Sequence, residues 1–357
     1  MPPDTSVKKV LIYRLGSLGD TVVALPCFHL IARAFPHAER VLLTNYPVHS
    51  KAPASAAVLG GSGLVHGYMR YTVATRRIGE LLRLAWQIRR FRFDLLVYLM
   101  TVRPLKNVRR DRLFFSFAGV RMIMGLPGEE ELKYRFDPAT GLYESEAFRL
   151  ARAIGRLGDA HPEDIANWNP LLNAAEMEAA ARALGELAGR PLIAVAPGAK
   201  APANDWEQEN WRDLLGRLSL KFPSHGLVMA GAKEDAAVCE YAARDWAGAK
   251  VNLAGKLNPR ESAAVFSRAQ VFIGPDSGPK HLAASVGTPC VCVFSARNLP
   301  GVWFPPGERN EIVYHRTECY GCGLDTCIEM SKKCIRSVTV DEMEQAVDRV
   351  LGRSASA

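Results

Sequence analysis

The second half of the chain alternates two kinds of segment with little between them. Short continuous apolar runs, "RPLIAVAPG", "HGLVMAG", "KVNLAG", "VFIGPD" and "TPCVCVFS", are separated by stretches of helical period: "WEQENWRDLLGRLSLKF", "EDAAVCEYAARDWAG", "NPRESAAVFSRAQ" and "GPKHLAASVG". A strand that is apolar on both faces needs cover on both faces, and the crossover helices of a parallel sheet supply it. The N-terminal part repeats the theme, with "KKVLIYRLGSLGD", the helix "TVVALPCFHLIARAF", the strand "ERVLLTNYP", the helix in "ELLRLAWQIRRFRF" and the strand "DLLVYLM". Residues 101–145, rich in Pro, Gly and charge, read as irregular. The expected architecture is α/β, two doubly wound Rossmann-like domains, because 357 residues exceed what one core usually organises. The boundaries fall at 1–172 and 173–337. Residues 338–357 form a last helix, N-capped by Thr339, that packs back on the N-terminal domain.

In such sheets ligands sit beyond the carboxyl ends of strands, so the strand-to-helix loops are the places to search. "RLGSLGD" puts Gly16, Ser17 and Gly19 ahead of a helix, with Asp20 at its start. It has neither the G-x-G-x-x-G spacing nor a Gly-Lys-Ser/Thr. Asp20 is either an N-cap or a carboxylate able to take a proton from a hydroxyl nucleophile. In "GPDSGPKHL", Asp276 and Ser277 stand where capping residues belong, Gly278 frees the backbone and Pro279 suits the first turn. Free N–H groups and the macrodipole there suit a diphosphate, with Lys280 and His281 adding charge or donors. Two further loops, "APGAKAPANDW" with Lys200 and "AGAKED" with Glu234, complete the outline of a nucleotide-diphosphate pocket.

Charge is unevenly spread. Residues 1–160 hold 24 Lys/Arg against 13 Asp/Glu, and residues 161–357 hold 21 against 24. Between Arg70 and Arg121 lie 13 basic residues opposed by Glu80, Asp94 and Asp111. That segment suits a phosphate-bearing partner or is a solvated helical face. Nucleic acid as the partner would leave the second-domain loops unexplained. The N-terminus has no long apolar core, and no apolar run approaches the roughly 20 residues that span a bilayer. A cytoplasmic protein touching membrane from its surface is expected.

Of eight cysteines, Cys27, Cys239, Cys290 and Cys292 lie in apolar surroundings and read as small core residues. Cys319, Cys322, Cys327 and Cys334 form C-x2-C-x4-C-x6-C, the ligand count of a structural zinc site or a set of reduced structural thiols.

Taken together, "RLGSLGDTVVALPCFHLIARAFPHAE", "LAGKLNPRESAAVFSRAQVFIGPD" and "DSGPKHLAASVGTPCVCVF" resemble the bacterial heptosyltransferases of lipopolysaccharide core synthesis, glycosyltransferase family 9, over most of the chain. The resemblance implies a GT-B fold, with acceptor on the first domain and nucleotide sugar on the second. It implies inverting transfer of a sugar, heptose from ADP-heptose, to a phosphorylated glycolipid at the inner membrane, with no catalytic metal or cofactor. Asp20 matches the proposed base. Asp276, Ser277, Gly278 and His281 match donor-binding positions, Glu234 a nucleoside-binding carboxylate and Leu257 a contact near the base. Where the family often carries Lys, two residues before a Trp, this chain has Asn204. Lys200 or Lys280 would then supply the phosphate charge. Another donor or acceptor, or a non-catalytic nucleotide-sugar or glycolipid binder, fits the same loops.

Overall fold

A computed structural model describes residues 6–45, 55–71 and 77–355. The chain divides into two compact units, Met1–Trp168 and Asn169–Ala357.

The first unit runs β1 (Lys9–Tyr13), α1 (Leu18–Val23), α2 (Leu25–Ala34), β2 (Glu39–Asn45), α3 (Ala56–Leu59), β3 (Gly67–Tyr71), α4 (Ile78–Phe91), β4 (Leu95–Tyr98), α5 (Leu105–Phe117), β5 (Met122–Met124), the hairpin β6 (Phe136–Asp137) and β7 (Leu142–Tyr143), and α6 (Glu146–Ala153). Five strands form one parallel sheet in the order β3-β2-β1-β4-β5. Its strands are buried as continuous apolar runs, Val10 to Tyr13 and Leu95 to Tyr98 among them. α4 and α5 cover one face, seating Leu84, Ala85, Ile88 and Phe115 against Leu11, Tyr13, Leu43 and Leu96.

α5 lies inside the segment expected to be irregular. Its buried stripe is Val108, Asp111 and Phe115, so a carboxylate occupies a core position and interrupts the apolar period. The cost of burying it is offset because Asp111 accepts from the Tyr98 hydroxyl at 2.9 Å and from Arg103 at 2.6 Å.

The second unit runs α7 (Ala174–Leu184), β8 (Leu192–Val195), α8 (Gln208–Lys221), β9 (Gly226–Met229), α9 (Ala236–Ala242), β10 (Lys250–Asn252), α10 (Pro259–Phe266), β11 (Val271–Pro275), α11 (Gly278–Ser285), β12 (Cys290–Phe294), β13 (Glu311–Tyr314), α12 (Lys333–Arg336) and α13 (Val340–Ala355). Its parallel sheet has the order β10-β9-β8-β11-β12-β13. That is the doubly wound order in which direction reverses between the first and fourth strands, here β8 and β11. The loops after these two strands flank the switch point.

The helix expected over residues 338–357 is α13, which falls in the second unit, where its apolar face, Met343, Ala346, Val347 and Val350, joins the core beside Leu214, Leu218 and Val291. Ion pairs reinforce this seat: Lys221 reaches Glu344 and Asp348, and Arg349 and Arg353 reach Glu311. Thr339 stands at the start of this helix, its hydroxyl bonded to the Glu342 carboxylate at 2.8 Å. Among the described residues no helix is long and apolar enough to cross a membrane.

Candidate functional site

In the first unit, the loop after β1 is tightened around Asp20. Ser17 is the N-cap of α1 and Asp20 its third residue, so the carboxylate is not the cap itself. Asp20 Oδ2 accepts from the Ser17 backbone N–H at 2.7 Å and from the Ser17 hydroxyl at 2.9 Å. Oδ1 makes no hydrogen bond among the described residues; its nearest cation is Arg14, at 3.9 Å. One oxygen is thus held by two hydrogen bonds and the other by none among the described residues. Gly16, at φ +146, sits so close that a Cβ there would lie 2.4 Å from the Asp20 Cβ and 2.7 Å from Oδ2. Gly16 and Gly19 are half-buried.

Beneath this loop lies a buried charge network that the sequence reading missed. Arg14 is fully buried; its Nη2 donates to the Asp20 carbonyl at 2.6 Å and its Nη1 to the Leu99 carbonyl at 2.7 Å. Glu146, also fully buried, lies 3.6 Å from Arg14 and is held by Arg149 at 2.7 Å and by the Tyr134 hydroxyl at 2.9 Å. The guanidinium therefore ties the helix start to β4, and Glu146 balances its charge. A local signal existed: Glu146 and Arg149 stand three apart on one helix. Cys27, packed nearby, has its thiol pushed up to about 12 by burial.

In the second unit the expected residues gather beyond the carboxyl ends of four strands: Lys200 and Asn204 after β8, Glu234 after β9, Leu257 after β10, and Asp276 to His281 after β11. Lys200 and Glu234 are exposed and Leu257 is half-buried. The loops after β8 and β11 are bolted together by Asn204. Its Nδ2 donates to the Asp276 carbonyl at 2.9 Å, and its Oδ1 accepts from the Ser295 hydroxyl at 2.5 Å. The side chain at the position where a phosphate-binding lysine was sought is a buried cross-link.

Lys280 does not match its expected role either. It is fully buried one turn after Asp276, bonded to that carboxylate at 2.5 Å and to the Trp303 carbonyl at 2.6 Å, with the Phe294 ring 4.0 Å below. Asp276 spends its second oxygen on Asn298 at 3.2 Å. The lysine's charge is neutralised inside the fold. His281 is 4% exposed, and burial, with Lys280 adjacent, holds its imidazole well below the usual range, so it is neutral at pH 7. Among the described residues its Nδ1 and the Ser277 hydroxyl are buried without hydrogen-bond partners. Both stand at the start of α11, of which Ser277 is the N-cap and whose first N–H groups have no intrahelical acceptor. Lys200 is exposed and makes no ion pair among the described residues, as is also true of Lys233 and Lys256 on the neighbouring loops.

The four late cysteines line one cavity together with Ala203, Arg297 and Met330. Of the two readings left open for them, a zinc site or reduced thiols, the zinc geometry is not seen: among the described residues no three His, Cys, Asp or Glu side chains are set to hold a metal ion. Cys334 is on α12 and its thiol is pushed up by burial, while the backbone N–H groups of Ala296 and Ile335 partly offset that. Cys27, Cys239, Cys290 and Cys292 are buried and form no disulfide among the described residues. Thiol titration of the native protein is expected to show Cys322 reacting first and Cys319, Cys327 and Cys334 following. The four buried thiols should respond only on unfolding, and eight rapid thiols in the native state would contradict this burial.

Comparison with known proteins places this geometry. A lipopolysaccharide heptosyltransferase 3 of Escherichia coli is 28% identical over 127 residues, 35% of this chain and 37% of that protein. The chain thus matches well under half the length of that relative. Among solved structures, the E. coli ADP-heptose lipopolysaccharide heptosyltransferase II overlays with a TM-score of 0.67 at 16% identity, covering 97% of this chain and 99% of that one. A family 9 glycosyl transferase from Veillonella parvula overlays with a TM-score of 0.71 at 15% identity, covering 97% and 98%. These overlays establish the fold as GT-B, two Rossmann-like units. The family model for glycosyltransferase family 9 (heptosyltransferase) matches residues 148–333, more than half of the chain, and the chain belongs to that family.

Proposed function

We propose that this protein is an inverting glycosyltransferase that moves a sugar, heptose from ADP-heptose, onto the phosphorylated inner core of lipopolysaccharide at an anionic membrane surface. The observation that carries the reading is the pair of unpartnered buried groups, the Ser277 hydroxyl and His281 Nδ1, at the start of α11. Buried polar atoms are rarely left unmatched, and a diphosphate or sugar hydroxyl supplies the missing partners.

In this reading, departure of the nucleoside diphosphate builds charge on its phosphate oxygens. The α11 N–H groups and the Ser277 hydroxyl meet that charge, with neutral His281 as a hydrogen-bonding rather than ionic partner. Lys200 supplies the mobile positive charge, and Glu234 accepts from the nucleoside. Leu257 packs near the base. On the acceptor side, Asp20 takes the proton from the attacking hydroxyl with its unbonded oxygen, while Ser17 holds the other. The sugar is displaced directly with inversion, and no step calls for a metal or cofactor.

The test is ADP release from ADP-heptose in the presence of a heptose-deficient core acceptor, joined to a thermal-shift screen of nucleoside diphosphates. A stabilising response to ADP and acceptor-dependent turnover are expected. Stabilisation by uridine or guanosine diphosphate instead would redirect the donor, and ligand binding without turnover would leave a binding protein. Lys200→Ala is expected to weaken ADP by about tenfold, the loss of one charge-assisted contact.

A further inference from the structure

The outer surface of the α4–α5 layer is built unlike that of an ordinary covering helix pair. The inner faces of both helices are spent on the first sheet, through Leu84, Ala85, Ile88, Val108 and Phe115. An ordinary helix then presents polar residues outward. Here α4 presents Ile78, Leu82 and Trp86, spaced one turn apart, at 72%, 52% and 58% exposure. α5 presents Leu113 and Phe117, again one turn apart, at 72% and 63%. The two stripes are neighbours, because Arg89 of α4 donates to the Phe117 carbonyl of α5 at 3.2 Å.

The charges around these stripes have one sign. Arg83, Arg89 and Arg90 on α4 and Lys106, Arg109, Arg110 and Arg112 on α5 are exposed. The acidic residues of the two helices are already engaged, Glu80 with Arg77 at 3.6 Å and Asp111, buried, with Arg103 and Arg110. The Arg90 guanidinium lies 5.3 Å from the Trp86 ring, so the aromatic and a cation share one spot. Arg76, which belongs to the same basic segment, lies outside the described residues.

We infer that this two-helix face docks on an anionic lipid bilayer, with Ile78, Leu82, Trp86, Leu113 and Phe117 entering the interface and the arginines on the headgroups. Each Lys or Arg near an anionic surface adds electrostatic attraction, and the apolar side chains add their burial. A second copy of the chain is disfavoured, since a symmetric contact would press one basic surface on another. A polyanion such as nucleic acid would match the charge but leave the apolar stripes in water. The inference deepens the membrane contact in the function proposed above, yet it rests on the helices rather than on sugar chemistry. Vesicle binding and transfer can therefore fail separately.

The experiment is co-sedimentation of the full chain with vesicles of phosphatidylcholine alone and of phosphatidylcholine mixed with phosphatidylglycerol. Binding to the mixed vesicles only, weakened by salt, is expected. Trp86→Ser with Phe117→Ser should lower that binding about tenfold or more, and Arg83→Gln with Arg90→Gln should do the same. These are exposed positions, and an unchanged melting temperature shows that the fold is kept. Brominated lipid should quench part of the tryptophan emission in the wild type and less of it in Trp86→Phe. Equal binding to both vesicles, no binding, or undiminished binding by the apolar double variant would overturn the inference. A dimer that the same variant dissolves, or duplex nucleic acid bound equally well by it, would also overturn it.

Discussion

Asp20→Asn is expected to lower the rate of sugar transfer by about 10²–10⁴-fold, the usual contribution of a positioned general base. The substitution is chosen for what it spares. An asparagine oxygen still accepts from the Ser17 N–H that Asp20 Oδ2 now takes at 2.7 Å, so the turn survives and only basicity is lost. Donor affinity, read as the thermal shift produced by ADP, should be unchanged, because the groups proposed to bind the donor belong to the other unit. Wild-type turnover in this variant would remove Asp20 as the base. Loss of donor binding in it would show that the two half-sites are not separate in the way proposed.

Lys280→Met is expected to act on stability, not on donor affinity. Removing one partner of a buried ion pair leaves the other uncompensated and typically costs about 3–5 kcal/mol. Asp276 would be that orphan, retaining only Asn298. In a unit of this size the loss lowers the melting temperature by roughly 10 °C. Affinity for ADP per folded molecule should stay near that of the wild type. Replacing Asp276 by Asn in the same protein should recover much of the loss. If instead Lys280→Met melts normally and no longer responds to ADP, the lysine is a phosphate ligand after all.

Much of this architecture can be read from residue order. Strands that are apolar throughout, such as Val271–Pro275 and Cys290–Phe294, advertise burial on both faces, and the polar residues gather in the loops after them. What the sequence hides is which polar residue is free. Lys280 looked like a spare cation, although its four-residue spacing from Asp276 on a helix start is that of an ion pair. Asn204 looked like a missing lysine, yet its two partners come from 72 and 91 residues away. Arg14 finds Glu146 from still farther along the chain, and no local pattern announces that meeting. α5 escaped because Asp111 occupies a core position, and an acid in the buried stripe erases the very period by which helices are recognised.

The turn before α1 has less clearance than one methyl group. A side chain at Gly16 would overlap the Asp20 carboxylate itself, with 2.4 Å to its Cβ. The smallest possible enlargement of a residue with no reactive group would therefore re-aim the carboxylate. The position acts as a gauge block, whose thickness sets where the Asp20 carboxylate sits. Any redesign of this loop inherits that tolerance: a change at Ser17 removes one of two bonds to the carboxylate and keeps the backbone one at 2.7 Å, whereas Gly16 has no room for added mass.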